Sequence, residues 1–426
     1  MNSFVLLATL IIMIIIGTPI PIAMGFACLI VFIVGSYNFH IIAQILILTA
    51  GKWTLLTVPF FILAASFMNE LGVTERLFKF ARACVGHIRG GLAHVNVLSS
   101  MIFAGMSGAA VADIGGLGKI EIKAMTEAGF SKKYSAGITV ASSIIGPIIP
   151  PSIAFVLYGI IAEVSIARLF LAGILPGILI GISLMIKTYF LALKYPEEFP
   201  REKKPDFNNL LNSFKGAILV VMAPLLIILG MTSGYVSPTE AGAAAMLYSL
   251  IIGLLYRTFK WKQLWSAAKE SLLQAAHAML LLSLAGVMGY ILTFERTPQL
   301  ILSLTGNFFT NKYLFLLFVD IIFLIIGCFM SATASLIILT PILLPMAIKA
   351  GIDPIHFGII ISYALHLGIA TPPVGIGLYV VSDIANIKLE EAISGVTAYY
   401  LPLIISLIII SCFPNLSLIL PNILMR

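Results

Sequence analysis

Apolar runs too long for the interior of a soluble domain decide what this chain can fold into. Phe4 to Ile16, Ala217 to Gly230, Leu314 to Ile326 and Leu401 to Ile410 are almost wholly apolar. A helix crosses a bilayer with about 20 mostly apolar residues, so a chain of this length holds roughly ten such segments. Charged residues make up only 10% of the sequence, against roughly 25% in soluble domains, too few to cover a solvated surface. The short alternating segments of a membrane β-barrel are missing. The sequence predicts an all-α polytopic membrane protein.

The first run has no basic flank before it and continues past Pro19 and Pro21 into a second run. It reads as a first membrane helix, not a cleaved signal. Cys28, Cys84, Cys328 and Cys412 are scattered through apolar segments and read as small packing residues, with no disulfide framework or metal site implied.

The net charge of +7 divides by topology. Arg76, Lys79, Arg82 and Arg89 form one cluster and Lys119, Lys123, Lys132 and Lys133 a second. Six basic residues fall between Lys187 and Lys215, and Arg257, Lys260, Lys262 and Lys269 form a fourth group. Together these are 18 of the 25 basic residues, and the positive-inside rule places them in the cytoplasm. Such a charge meets anionic membrane lipid; it implies no nucleic acid.

The chain also repeats itself. Ala128-Gly129 returns as Ala350-Gly351, 222 residues on; at the same offset Gly105 meets Gly327, Gly146 meets Gly368, and Pro150-Pro151 meets Pro372-Pro373. Gly17 to Pro21 followed by Gly25 resembles Gly234 to Pro238 followed by Gly242, at an offset of 217. The basic amphipathic stretch Thr74 to Arg89 has a counterpart, Arg296 to Lys312, that is poor in basic residues. The halves are therefore expected to run in opposite senses, a recurrent plan of secondary transporters. The expected parts are a scaffold (1–90) and a transport part (91–186) in repeat one, a polar cytoplasmic connector (187–215), a scaffold (216–312) in repeat two, and a transport part with the C-terminal helix (313–426).

Each half holds two interrupted elements. The runs Phe103 to Asp113 (FAGMSGAAVAD) and Gly327 to Ser335 (GCFMSATAS) have apolar flanks of about 12 to 15 residues, short for full spans, and predict re-entrant helical hairpins. The runs Ser142 to Ser152 (SSIIGPIIPPS) and Leu365 to Gly375 (LHLGIATPPVG) predict membrane helices broken in the middle, because proline removes an amide donor and clashes with the preceding turn. Irregular backbone at membrane depth survives only where it lines a cavity or is buried in protein.

Unwound backbone frees carbonyl oxygens, and Ser142, Ser143, Ser152 and Thr371 add hydroxyls; uncharged oxygen cages of this kind suit sodium. Pairing each hairpin with its broken helix gives two candidate sodium sites. Ser107, Asp113, Ser143, Gly146 and Pro147 form the first; Gly327, Met330, Ser331, Thr333, Gly368, Thr371 and Pro373 form the second. The candidate substrate site lies between the tips, at Ser107, Gly108, Ala109, Ser331, Ala332 and Thr333, flanked by Pro150 and Pro372. Asp113 either assists a cation site or caps the hairpin's second helix. His366 reads as a hydrogen-bonded packing histidine ahead of a proton-coupling one, and Glu240 as an acidic first-turn residue at a helix start.

The runs at 105–113 and 146–152, with Ser237 to Gly242 (SPTEAG) and Ala370 to Gly375 (ATPPVG), resemble the large membrane (permease) subunit of tripartite ATP-independent periplasmic (TRAP) transporters, over essentially the whole chain. The resemblance implies a sodium-coupled importer of small organic acids, of the dicarboxylate, sugar acid or sialic acid class. It implies an elevator-type mobile domain and residence in a bacterial inner membrane. The implied partners are a small four-helix membrane subunit and a periplasmic substrate-binding protein. The small subunit or lipid is expected to pack on the amphipathic stretches Thr74 to Arg89 and Arg257 to Lys269.

The rival reading is a stand-alone sodium- or proton-coupled dicarboxylate symporter of similar inverted-repeat fold. An enzyme is disfavoured, because the spans offer only the isolated Asp113, Asp320 and His366. No phosphate-binding Gly-x-x-x-x-Gly-Lys-Ser/Thr loop is present, which disfavours an ATP-driven pump.

Overall fold

A computed structural model describes residues 2–201, 207–297, 299–300 and 311–425. Among the described residues the chain is helical, without a strand. Among the described residues eight helices are long and apolar enough to cross a membrane, from Trp53–Glu70 to Leu389–Cys412. Several further apolar helices are shorter, and three of the four halves of the two broken helices, Ile153–Ala162, Pro354–Ile369 and Ile376–Ala385, are among them. That is the physical reason the long spans number fewer than the apolar runs suggest: glycine and proline cut some runs in two.

The exterior carries bulky apolar side chains such as Ile15, Ile47, Leu229 and Leu255, each more than half exposed. Water would penalise such a surface, whereas acyl chains accept it. The interior is packed around large side chains including Tyr158, Tyr363, Tyr399 and Phe323, all fully buried. Buried tyrosines need a partner for the hydroxyl. Tyr363 bonds Ser406 Oγ at 2.6 Å and Tyr158 donates to the Pro354 carbonyl at 2.5 Å, the latter joining the two halves of the sequence.

Helix boundaries recur at the offset seen in the sequence. The first arms of the hairpins end at Ser107 and Phe329, the return arms begin at Ala110 and Ala332, and the broken helices begin at Lys132 and Pro354, each pair 222 residues apart. Three of the four hairpin arms are longer than their apolar cores imply: Gly91–Ser107 has 17 residues, and Lys312–Phe329 and Ala332–Lys349 have 18 each; the first return arm is divided at Gly116 into Ala110–Gly115 and Leu117–Glu127. Helix continues through flanking polar residues, which apolar counting leaves out. For the same reason the expected connector 187–215 is helical at both ends, with Ile166–Lys194 before it and Phe207–Thr232 after it; residues 202–206 lie outside the described residues. Most of the stretch from Arg296 to Lys312 also lies outside them.

Candidate functional site

The hairpin tips are built by two different devices. In the first, Gly108 takes a left-handed conformation (φ +60°), which L side chains rarely adopt. A Cβ there would also meet the Pro151 carbonyl oxygen at 2.8 Å. In the second, Met330 and Ser331 are extended, and the Ser331 hydroxyl accepts from the Ala334 amide at 3.3 Å, an N-cap that starts the return arm.

The breaks lie at 144–152 and 370–375, between Lys132–Ser143 and Ile153–Ala162 and between Pro354–Ile369 and Ile376–Ala385. Both Pro-Pro bonds, Pro150-Pro151 and Pro372-Pro373, are cis. Ser152 caps the second half of the first broken helix, accepting from the Phe155 amide at 3.2 Å while donating to the Pro147 carbonyl at 2.6 Å. Hairpin and break are joined directly in the second half, where the Gly375 amide donates to the Cys328 carbonyl at 3.0 Å. Gly327 and Gly368 meet there backbone to backbone: a Cβ on Gly368 would fall 2.7 Å from the Gly327 Cα.

A cavity of about 390 Å³ opens between the two tips. Gly108 and Ala109 line it from one side and Ser331, Ala332 and Thr333 from the other. Of the substrate-site residues read from the sequence, Ser107, Pro150 and Pro372 are not in its wall: Ser107 turns away to Asp113, and the prolines lie back from the cavity within the breaks. The wall also takes in the first turns of three helices, at Ile153 and Ala154, at Ala332 and Thr333, and at Ile376. Unsatisfied amides at helix starts carry partial positive charge and favour anions. No Lys, Arg, Asp or Glu lines this cavity among the described residues.

Three polar residues of the wall were not singled out for it by the sequence. Gln274 and His277 come from the long helix Trp261–Phe294, which faces both tips. His366 is bonded through Nδ1 to the Ser362 carbonyl at 2.6 Å, so Nε2 is its remaining polar atom. Gln274 and His277 are one turn apart in the mostly apolar part of that helix that follows Lys269 and Glu270, the only signal that pointed to them.

Behind the first tip, the Ser107 hydroxyl donates to Asp113 Oδ1. Both residues are 2% exposed, and Asp113 Oδ2 is buried without a hydrogen-bond partner among the described residues. Gly146 closes this space, since a Cβ there would overlap Asp113 Oδ2. Ser107, Asp113 and Gly146 thus come together as the sequence pairing anticipates. Ser143 and Pro147 are already engaged, Ser143 donating to the Val140 carbonyl at 2.8 Å and Pro147 accepting from Ser152. An orphaned buried carboxylate oxygen fits a cation, so the donor set suits sodium at this position.

The second set presents backbone and hydroxyl oxygens only. Thr371 Oγ1 donates to the Leu367 carbonyl at 2.8 Å, and the Gly368 carbonyl accepts from the Thr371 amide at 2.9 Å. No group of three His, Cys, Asp or Glu that could hold a metal occurs among the described residues.

Next to the first site lies a buried polar cluster that the sequence hid. Glu121 is 1% exposed. Its Oε2 accepts from Asn96 Nδ2 at 2.7 Å, and the same Asn96 group reaches Thr139 Oγ1 at 2.8 Å. Ser142 donates to Asn96 Oδ1 at 2.6 Å, and Ser100 to Ser142 at 3.1 Å. Glu121 Oε1 has no hydrogen-bond partner among the described residues. The signal available was its place on the buried stripe with Leu117, Gly118, Ile122 and Met125.

Glu240 is structural. It completes a capping box with Ser237, whose amide donates to Glu240 Oε2 at 2.8 Å while the Ser237 hydroxyl accepts from the Glu240 amide at 3.3 Å.

Known proteins resemble the chain along nearly its whole length. A sialic acid TRAP transporter large permease protein of Vibrio cholerae serotype O1 is 39% identical over 408 residues, 95% of each chain. A C4-dicarboxylate TRAP transporter large permease protein of Pseudomonas aeruginosa is 38% identical, over 88% of this chain and 87% of that one. Among solved structures, the Alcanivorax borkumensis YdaH transporter, described as having an unusual topology, matches with a TM-score of 0.55 at 18% identity, over 84% of this chain and 85% of its own. It is a likeness of fold alone. The family model of the tripartite ATP-independent periplasmic transporter, DctM component, matches residues 7–416. The chain belongs to that family, whose relatives named here are large permease proteins of TRAP transporters.

Proposed function

We propose that the chain is the translocating subunit of a sodium-coupled importer of small organic acid anions in a bacterial inner membrane. One observation carries the reading: the cavity between Gly108 and Ser331 is ringed by three helix starts and has no fixed full charge in its wall. A carboxylate entering it exchanges water for oriented amides and for the Ser331 and Thr333 hydroxyls. Because no lysine or arginine holds it, release stays possible on the far side. Sialic acid and C4-dicarboxylates, the compounds in the relatives' names, are carboxylates of a size such a cavity accepts.

Asp113, with Ser107 and Gly146, would hold the sodium of the first site; Gly327, Gly368 and Thr371 would offer oxygens for the second. Bound sodium supplies the positive charge that the protein wall lacks. The two halves read as inverted repeats, supported by helix boundaries recurring every 222 residues. Hairpins and broken helices, tied by contacts such as Gly375 to Cys328, move together past the scaffold in an elevator motion. The scaffold helix Trp261–Phe294 covers the cavity through Gln274 and His277. A small membrane subunit and a periplasmic binding protein that delivers the substrate complete the system.

Reconstitution tests this directly. The chain, with its small subunit and binding protein in proteoliposomes, should accumulate labelled sialic acid or a C4-dicarboxylate only with an inward sodium gradient. Equal uptake in potassium would overturn sodium coupling. Full uptake by this chain alone would favour the stand-alone symporter.

A further inference from the structure

Away from the hairpins, a second cavity of about 660 Å³ lies between the helix Val73–Val85, the first turns of Phe207–Thr232 and the end of Pro238–Leu255. Its wall carries Arg76, Lys79, Arg257 and Lys260 against Glu70 and Glu75. None of the four cations has an ion-pair partner among the described residues. The Arg76 guanidinium is fixed 3.9 Å over the Tyr256 ring, and the Tyr256 hydroxyl is anchored to the Gly216 carbonyl at 2.9 Å.

Arg257 occupies a costly place. The Thr258 amide bonds the Gly253 carbonyl at 3.0 Å and the Arg257 amide bonds the Leu254 carbonyl at 3.1 Å, which makes the helix end a Schellman motif. The residue at its left-handed position is usually glycine, yet here it is Arg257 with φ +57°. An arginine held there keeps a five-donor fork at the cavity mouth.

The surroundings say what the cavity takes. Leu254, Leu255, Trp261 and Trp265 beside it are 60 to 72% exposed. Tryptophans of this kind sit at headgroup level, and the basic clusters place this end on the cytoplasmic side. The helix Val73–Val85 is amphipathic and buries Val73, Leu77, Phe78 and Ala81.

We propose that this cavity binds the phosphate headgroup of an anionic phospholipid of the inner leaflet, whose acyl chains lie along Leu254, Leu255 and the two tryptophans. The guanidiniums of Arg76 and Arg257 meet the phosphate oxygens as forks, and Lys79 and Lys260 complete the field. The net excess of two positive charges favours a lipid with two phosphates, such as cardiolipin, over one with a single phosphate.

The test is thermal unfolding and native mass spectrometry of the full chain in a neutral detergent, titrated with cardiolipin, phosphatidylglycerol, phosphatidylcholine or inorganic phosphate. Cardiolipin should raise the melting temperature saturably, phosphatidylglycerol less, and phosphatidylcholine and inorganic phosphate not at all. The double variant Lys79→Gln with Lys260→Gln, which touches exposed side chains only, should weaken cardiolipin binding about tenfold or more. Arg257→Gly, which relaxes the backbone while removing the fork, should bind weakly yet melt no lower than wild type without lipid. A response to phosphatidylcholine equal to that for cardiolipin, a saturable response to inorganic phosphate, or unchanged affinity in both variants would overturn the proposal.

Discussion

Ser107 donates its hydroxyl to one oxygen of Asp113, while the other oxygen, Oδ2, is buried against Gly146 with no hydrogen-bond partner among the described residues. A buried group that lacks only a positive charge gives the sodium reading its sharpest consequence. A buried unpaired carboxylate costs several kcal/mol, which a neutral isostere avoids. Asp113→Asn should therefore melt at least as high as wild type in choline chloride. It should lose the sodium-induced rise in melting temperature expected of wild type, a rise worth about 2.7 kcal/mol at a hundredfold excess over Kd. An undiminished sodium response in the variant would remove Asp113 from the site.

Gly146→Ala tests the same space sterically. The added methyl would overlap Asp113 Oδ2, so sodium-dependent uptake should fall at least tenfold. At Gly289, inside the helix Trp261–Phe294, a Cβ meets nothing within 4 Å. Gly289→Ala should leave uptake intact and stabilise by about 0.5–1 kcal/mol. Uptake by the two alanine variants, normalised to membrane expression, separates the outcomes.

The cluster around Glu121 predicts a split between two substitutions. Glu121→Gln keeps an acceptor for Asn96 and should change stability by less than about 1 kcal/mol. Glu121→Ala orphans the Asn96 amide and opens a cavity, and should cost about 2–4 kcal/mol. Comparable melting of the two variants in detergent would show that the bond to Asn96 does not stabilise the fold.

Why the hairpins could be read from the sequence and Glu121 could not is a matter of what each residue does to the backbone. Gly108, Gly146, Pro150-Pro151 and Pro372-Pro373 interrupt helices, and although single prolines such as Pro176 and Pro224 are carried inside continuous helices, glycine with a Pro-Pro pair repeated at one offset announces the irregular segments directly. Glu121 breaks nothing. It sits between Lys119 and Lys123, a pattern that reads as a solvated face, and only the packing of the neighbouring helices turns it inward to Asn96. Gln274 and His277 were hidden in the same way, since a cavity is made by elements distant in sequence. Arg257 was read as one member of a basic cluster; its left-handed backbone appears only in the folded chain.

A pH-dependent contact lies outside the spans. The Tyr37 hydroxyl donates to Glu295 Oε1, and Asn2 Nδ2 donates to the same oxygen at 2.9 Å. The Tyr37 bond, more than that of Asn2, holds the Glu295 carboxyl below its ordinary value of 4.5. A carboxyl lowered by folding adds stability above its unfolded value, and that stability is lost as pH falls through the folded one. Tyr37→Phe keeps the ring against Phe294 and should cost about 0.5–1 kcal/mol at pH 7. The gap to wild type should narrow as pH falls below 4.5. A gap in melting temperature that stays constant from pH 7 to the acid side would mean that the bond does not depend on the Glu295 charge.

Gln274 and His277 face the tips from a helix that belongs to neither hairpin. If the substrate touches this helix, its affinity depends on these side chains, while the proposed sodium sites behind Ser107 and Ser331 do not. Each side chain offers one hydrogen bond to a carboxylate or hydroxyl of the substrate, worth about 0.5–1.5 kcal/mol. Gln274→Leu and His277→Leu should therefore raise the KM for the transported acid about two- to tenfold, with sodium activation unchanged. The comparison is made by measuring initial uptake rates against substrate at saturating sodium, then against sodium at saturating substrate. A shift in the sodium curve of the same size as the shift in KM would place these residues with the cation sites and take them out of the substrate's contacts.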